Sequence, residues 1–196
     1  LGIEIVDPPA PHMLFLGNPG TGKTKIGRLL GELLFSIGIC DSKNFVEAKR
    51  EDLVAGHIGQ TAEKTEKKIK DAIGGVFFLD EAYQLSGRGE KDFGREAIET
   101  IMNKLHDNNP VFIFAGYPDE MAKFMDANPG MRRRVGRSFE FTDYTPEDIA
   151  NIFIKYKMPP FKVDIGEFAD ESAFHGWLTE QIRTLETRAP GLLPLF

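Results

Sequence analysis

The stretch His12-Met13-Leu14-Phe15-Leu16-Gly17-Asn18-Pro19-Gly20-Thr21-Gly22-Lys23-Thr24 decides the fold. An apolar run, Met13 to Leu16, enters a glycine-rich turn that closes on Lys-Thr. Residues 17–24 match the phosphate-loop pattern G-x-x-x-x-G-K-[ST] without a mismatch. Glycines let the backbone curl so that successive N–H groups point inward at a phosphate. Lys23 can reach β- and γ-phosphates, and the Thr24 hydroxyl can hold Mg²⁺. A helix following the loop adds the positive end of its dipole.

Both flanks agree with that reading. Ile26, Leu29, Leu30, Leu33, Leu34 and Ile37 recur at helical spacing and predict one apolar face over a helix at 23–37. Gly38 stands where such a helix stops. Strand, loop and helix therefore come in the order that phosphate binding demands. Gly17, Asn18, Pro19, Gly20, Thr21, Gly22, Lys23 and Thr24 are the expected nucleotide-binding residues.

Further along, Val76-Phe77-Phe78-Leu79 and Val111-Phe112-Ile113-Phe114-Ala115 are continuous apolar runs. Such runs mark strands buried on both faces of a parallel sheet. Shorter strands are expected at 45–48 and 139–141. Helices are expected at 62–73, with Thr61 as N-cap, and at 97–105 and 118–127, where Pro118 suits the first position. The alternation predicts a three-layer αβα parallel sheet with right-handed crossovers. From Thr145-Pro146-Glu147-Asp148 onward the pattern is all-helical, ending in an amphipathic helix through Phe174, Trp177, Leu178, Ile182 and Leu185. The expected division is 1–145 for the α/β core and 146–196 for a small, incomplete helical lid.

The run 76–79 terminates in Asp80-Glu81, at the carboxyl end of a strand where open α/β sheets place their ligands. Asp80 can share the Mg²⁺ with Thr24, and Glu81 can polarise an attacking water as a general base. A small GTPase needs an Asn-Lys-x-Asp element after a later strand, whereas Gly116-Tyr117-Pro118-Asp119 follows the run at 111–115. No acceptor site of a metabolite kinase is legible. ATP hydrolysis is the better reading.

Composition narrows the partners. A net charge of −6 over 196 residues, with a pI near 5.3, argues against a surface that coats nucleic acid. The single cysteine, Cys40, excludes an internal disulfide and fits a reducing compartment. No apolar run approaches the roughly 20 residues that span a bilayer, so no membrane partner is expected. The opening Leu1 reads as the start of a fragment.

The string His-Met-x-Phe-x-Gly-Asn-Pro-Gly-Thr-Gly-Lys-Thr (12–24) is joined by Asp52-Leu53-Val54, Gly74-Gly75-Val76, Asp80-Glu81-Ala82-Tyr83 and Ala115-Gly116-Tyr117. With Asn128-Pro129-Gly130-Met131, these residues resemble an AAA+ ATPase, more narrowly the CbbX/CfxQ/SpoVK group that includes the red-type Rubisco activases. The resemblance spans roughly residues 12–150. It implies a hexameric ring with Mg-ATP at subunit interfaces, coupling hydrolysis to remodelling of a protein client, Rubisco being one candidate. It implies a cytoplasmic protein, or a stromal one if Rubisco is the client. Arg134 would be the finger reaching a neighbour's γ-phosphate, with Arg133 and Arg137 as substitutes, and Tyr117 would occupy the sensor position. The loop 56–59 would face a central pore. Relatives carry an aromatic before Ile-Gly in that loop where this chain has His57, and no sensor-2 arginine stands out in the tail. A nucleotide-dependent scaffold that hydrolyses slowly is the alternative reading.

Overall fold

The computed structural model describes residues 11–57, 59–86, 92–159, 165–166 and 168–188. Five strands, β1 (Met13–Gly17), β2 (Phe45–Ala48), β3 (Val76–Leu79), β4 (Val111–Gly116) and β5 (Arg137–Phe141), form one sheet in the order β2-β3-β4-β1-β5. Every pairing is parallel. The two continuous apolar runs are β3 and β4, and every residue in both is buried. They occupy interior positions because only a strand covered on both faces can hide such a run.

The helices that follow the strands lie on the two faces of the sheet and divide the core. One cluster gathers Phe77, Leu79, Phe112 and Phe114 with Ile69, Ala97, Ile98, Ile101, Met121 and Phe124. These come from α3 (Thr61–Lys70), α4 (Gly94–Lys104) and α5 (Pro118–Ala127). The other cluster gathers Met13, Phe15, Val76, Phe78, Ile113 and Ala115 with Leu34 of α1 (Lys23–Ser36). The alternation of side chains along the strands sends the adjacent Phe77 and Phe78 to opposite clusters, and Phe112 and Phe114, two residues apart, to the same one. The short α2 (Arg50–Leu53) and α6 (Pro129–Arg132) complete this unit. The αβα parallel architecture is the one expected.

Helix α1 starts where expected but turns a different face inward. Its buried residues are Gly27, Gly31 and Leu34. Ile26, Leu29, Leu33 and Ile37 of the expected apolar face are 45–60% exposed. A Cβ on Gly27 would lie 3.0 Å from the Phe78 ring, and one on Gly31 would lie 3.3 Å from Val76. The two glycines bring the helix too close to the sheet for a larger side chain, so Ile26, Leu29, Leu33 and Ile37 are left flanking the contact, while Leu34 is buried and Leu30 packs partly buried beside it. Thr61 is also not the cap of α3. Gln60 holds that position, and the Thr61 hydroxyl accepts the Ala55 N–H at 3.0 Å.

By contacts the chain divides into two compact units, 1–18 with 22–141, and 19–21 with 142–196. In the second unit α7 (Pro146–Ile152) opens on a Thr145–Asp148 capping box. The same turns continue through Phe153–Lys157 as π-helix. Helix α8 (Glu171–Arg188) buries Phe174, Thr179 and Ile182, while Trp177 and Leu185 stay about half exposed. Phe168, Phe174 and Trp177 pack ring against ring at its start.

Candidate nucleotide site

The loop after β1 has two different uses for glycine. Gly20 and Gly22 hold φ of 77° and 90°, the left-handed region that only glycine enters freely. Gly17 is required by crowding instead. It pairs with Phe141 of β5, and a Cβ there would stand 2.4 Å from the Phe141 carbonyl oxygen. The loop ends where α1 begins at Lys23, so the unpaired N–H groups of the first helical turn open onto the loop. Lys23 Nζ donates to the carbonyl oxygens of Gly17 at 2.8 Å and Asn18 at 2.7 Å. Its ammonium is therefore held at the loop, part-buried, within the turn that would receive a phosphate. Thr24 sits half-buried in the same helical turn.

Two strands away, the chain leaves β3 at Asp80. The Asp80 N–H donates to Ala48 of β2 at 2.9 Å, and its Oδ1 accepts the Glu81 N–H at 3.1 Å. Glu81 has φ 50° and ψ 44°, a left-handed conformation. Such conformations cost of order 1–3 kcal/mol in a non-glycine residue and concentrate at functional positions. The following turn, Ala82–Leu85, is 3₁₀, and it returns the Gln84 side chain to Glu81. Gln84 Nε2 donates to Glu81 Oε2 at 2.5 Å.

Tyr117 caps α5 directly after β4, and its ring lies 5.9 Å from that of Tyr83. Burial, and then the Glu81 carboxylate, push the Tyr83 phenol above its ordinary value. The register pairs Leu16 with Gly116 and Leu79 with Phe114. Gly17, Asp80 and Tyr117 thus leave three neighbouring strands at one rim. Among the described residues no cluster of three or more His, Cys, Asp or Glu side chains forms a metal cage. One carboxylate and one hydroxyl suit Mg²⁺, which takes few protein ligands and completes its shell with phosphate and water oxygens.

Arg134 and Arg132 meet partners of their own. Arg134 donates from Nη1 to the Gly130 carbonyl at 2.8 Å and shares a 2.6 Å contact between Nη2 and His106 Nε2. Its Nε is buried without a partner. Arg132 pairs with Asp126 at 2.6 Å, while Arg133 and Arg137 are exposed. In the loop 56–59, His57 is exposed, Gly59 has φ 79°, and residue 58 lies outside the described residues.

Sequence reasoning missed Gln84, Arg50 and Asp92. Arg50, at the start of α2, donates to the Gln84 carbonyl at 2.6 Å and to Asp92 Oδ1 at 2.6 Å. The one available signal was the three-residue interval between Glu81 and Gln84, which meets on a helical turn.

A family model described as "ATPase family associated with various cellular activities (AAA)" matches residues 13–143. Stage V sporulation protein K of Bacillus subtilis (strain 168) is 46% identical over 145 residues, covering 73% of this chain and 45% of the relative. Protein CbbX of Cereibacter sphaeroides is 44% identical over 147 residues, 74% of this chain and 48% of that protein. The chloroplastic ribulose bisphosphate carboxylase/oxygenase activase of Cyanidioschyzon merolae is 43% identical over 147 residues, 74% of this chain and 50% of that one. The chain thus spans about half the length of the curated relatives it matches. A crystal structure of the FIGL-1 AAA domain in complex with ADP superimposes with a TM-score of 0.62 at 18% identity. It covers 95% of this chain and 57% of that one, a likeness of fold. The chain belongs to the AAA family of ATPases, in the group of the CbbX, CfxQ and stage V sporulation K proteins.

Proposed function

We propose that the chain is the ATP-hydrolysing module of a ring-forming protein, a hexamer, that uses Mg-ATP to remodel a protein client. The observation that carries this reading is the shared rim: the P-loop after β1, Asp80-Glu81 after β3 and Tyr117 after β4. Lys23 would leave the Gly17 and Asn18 carbonyls for the β- and γ-phosphate oxygens. Thr24 and Asp80 would hold Mg²⁺, which neutralises charge developing on the phosphates. Glu81 would accept a proton from the attacking water. Tyr117 would stand beside the γ-phosphate. Arg134 would have to leave His106 to act as a finger on a neighbour's nucleotide, and Arg133 and Arg137, already exposed, are the alternatives. Residues 146–196 would form part of the small helical lid. The relatives' names make Rubisco one candidate client, which would place the protein in the cytoplasm or a plastid stroma.

The test separates binding from chemistry. Lys23→Ala should abolish ATP binding measured by calorimetry. Glu81→Gln should bind ATP as before and lose turnover by about 10²–10⁴-fold, the usual share of a positioned base. Undiminished affinity in the first variant, or full turnover in the second, overturns the assignment of that residue.

A further inference from the structure

Glu81 is not held by its own strand. Its backbone has left the sheet in a left-handed turn, and its carboxylate is gripped through Oε2 by the Gln84 amide at 2.5 Å. Gln84 is itself fixed from behind, since its carbonyl accepts from Arg50 Nη1 at 2.6 Å. The second fork of the same guanidinium reaches Asp92 at 2.6 Å, with the two side chains only 28% and 14% exposed. Asp92 Oδ1 also accepts the N–H of Gly94, the first residue of α4. Gly94 is confined there, because a Cβ would stand 2.3 Å from the Leu85 carbonyl oxygen and 2.8 Å from Arg50 Nη1.

From these contacts we infer that Gln84 is a positioning residue for the Glu81 carboxylate, anchored by the Arg50–Asp92 pair. The inference rests on the reading of Glu81 as the base. A general base works only when its oxygen is held within hydrogen-bond reach of the water it deprotonates, and a glutamate has three side-chain torsions to fix. The amide of Gln84 occupies Oε2 and leaves Oε1 as the oxygen with its lone pairs open. The planar guanidinium suits the outer link, because its fork serves two acceptors in fixed geometry. The anchor ties α2, the 3₁₀ turn and the start of α4 to one side chain. A change in how those three elements sit would therefore reach the carboxylate through two hydrogen bonds.

Gln84→Met keeps the side-chain volume and removes the donor. In the assembled full-length protein, its kcat for ATP should fall roughly tenfold or more, with KM and calorimetric ATP affinity within twofold of wild type and an unchanged melting temperature. A packing role would instead leave kcat intact in Gln84→Met, and a kcat equal to or above wild type overturns the proposal. Combining Gln84→Met with Glu81→Gln should cost nothing beyond Glu81→Gln alone, whereas additive losses would show that Gln84 acts elsewhere. Arg50→Lys keeps the charge but not the fork, and should lose kcat in the same direction with KM unmoved; unchanged kcat removes the anchor from the proposal. If Glu81→Gln itself turns over normally, the base reading has failed. If Glu81→Gln is inactive and Gln84→Met is not, only the positioning role has.

Discussion

At the scale of single residues, His12 shows how one side chain can stiffen the base of a strand. It is fully buried, with Nε2 at 2.9 Å from the Leu105 carbonyl and Nδ1 accepting the Phe112 N–H at 3.1 Å. This pair of contacts demands the neutral ring with its proton on Nε2. Burial pulls its pKa below the ordinary value, against a smaller opposing pull from the Leu105 carbonyl. The unfolded chain has a pKa of about 6.5. Below that value the unfolded state takes up a proton that the folded state refuses, so stability present above about 6.5 is lost as the pH falls further. The slope can reach ~1.4 kcal/mol per pH unit for one proton. Urea midpoints for wild type should drop between about pH 7.5 and 5.5. His12→Gln, less stable throughout, should show a flatter profile over that range; an equal slope would exonerate the histidine. In the sequence His12 was one letter of a motif, and nothing in its spacing said that it bridges to residues 93 and 100 positions away.

Among the elements, α1 shows what patterning can and cannot convey. Its span was legible, because a P-loop must be followed by a helix and Gly38 ends it. Its buried face was legible only at Leu30 and Leu34, since glycine registers as a gap in any count of apolar residues, and here Gly27 and Gly31 make the rest of the contact. Gly27→Leu should destabilise the fold by about 1–3 kcal/mol through overpacking against Phe78. Leu29→Ser, at a position 54% exposed, should change stability by no more than about 0.5 kcal/mol. Guanidinium denaturation of the two variants checks the pair, and a reversed order would restore the leucine face as the buried one. The strands β3 and β4 were legible for the opposite reason: a run with no polar residue has only the sheet centre to occupy. The short α6 had no such signature, being one turn long. The clasp of Glu81, Gln84 and Arg50 escaped notice because its links join residues 3 and 34 positions apart through a backbone carbonyl.

For the whole molecule, the proposed ring makes activity a property of assemblies. Specific ATPase activity of the full-length protein should rise steeply with concentration. Arg134→Ala should bind ATP normally and lose hydrolysis by about 10³-fold or more. Mixing it with Glu81→Gln should restore part of the rate, because each variant supplies at an interface what the other lacks. Two inactive proteins that stay inactive when mixed would count against a site shared between subunits. Within one subunit, the order β2-β3-β4-β1-β5 has a metric consequence. Strands β1 and β3 never touch, and β4 holds them two ladder spacings apart, ~10 Å. That interval is a gauge built from backbone hydrogen bonds, so side-chain changes around the rim can alter what is done there but not the span across which it is done. A nucleotide's phosphate tail would be measured against β4 itself, with the tip at Gly116 and Tyr117 as the stop.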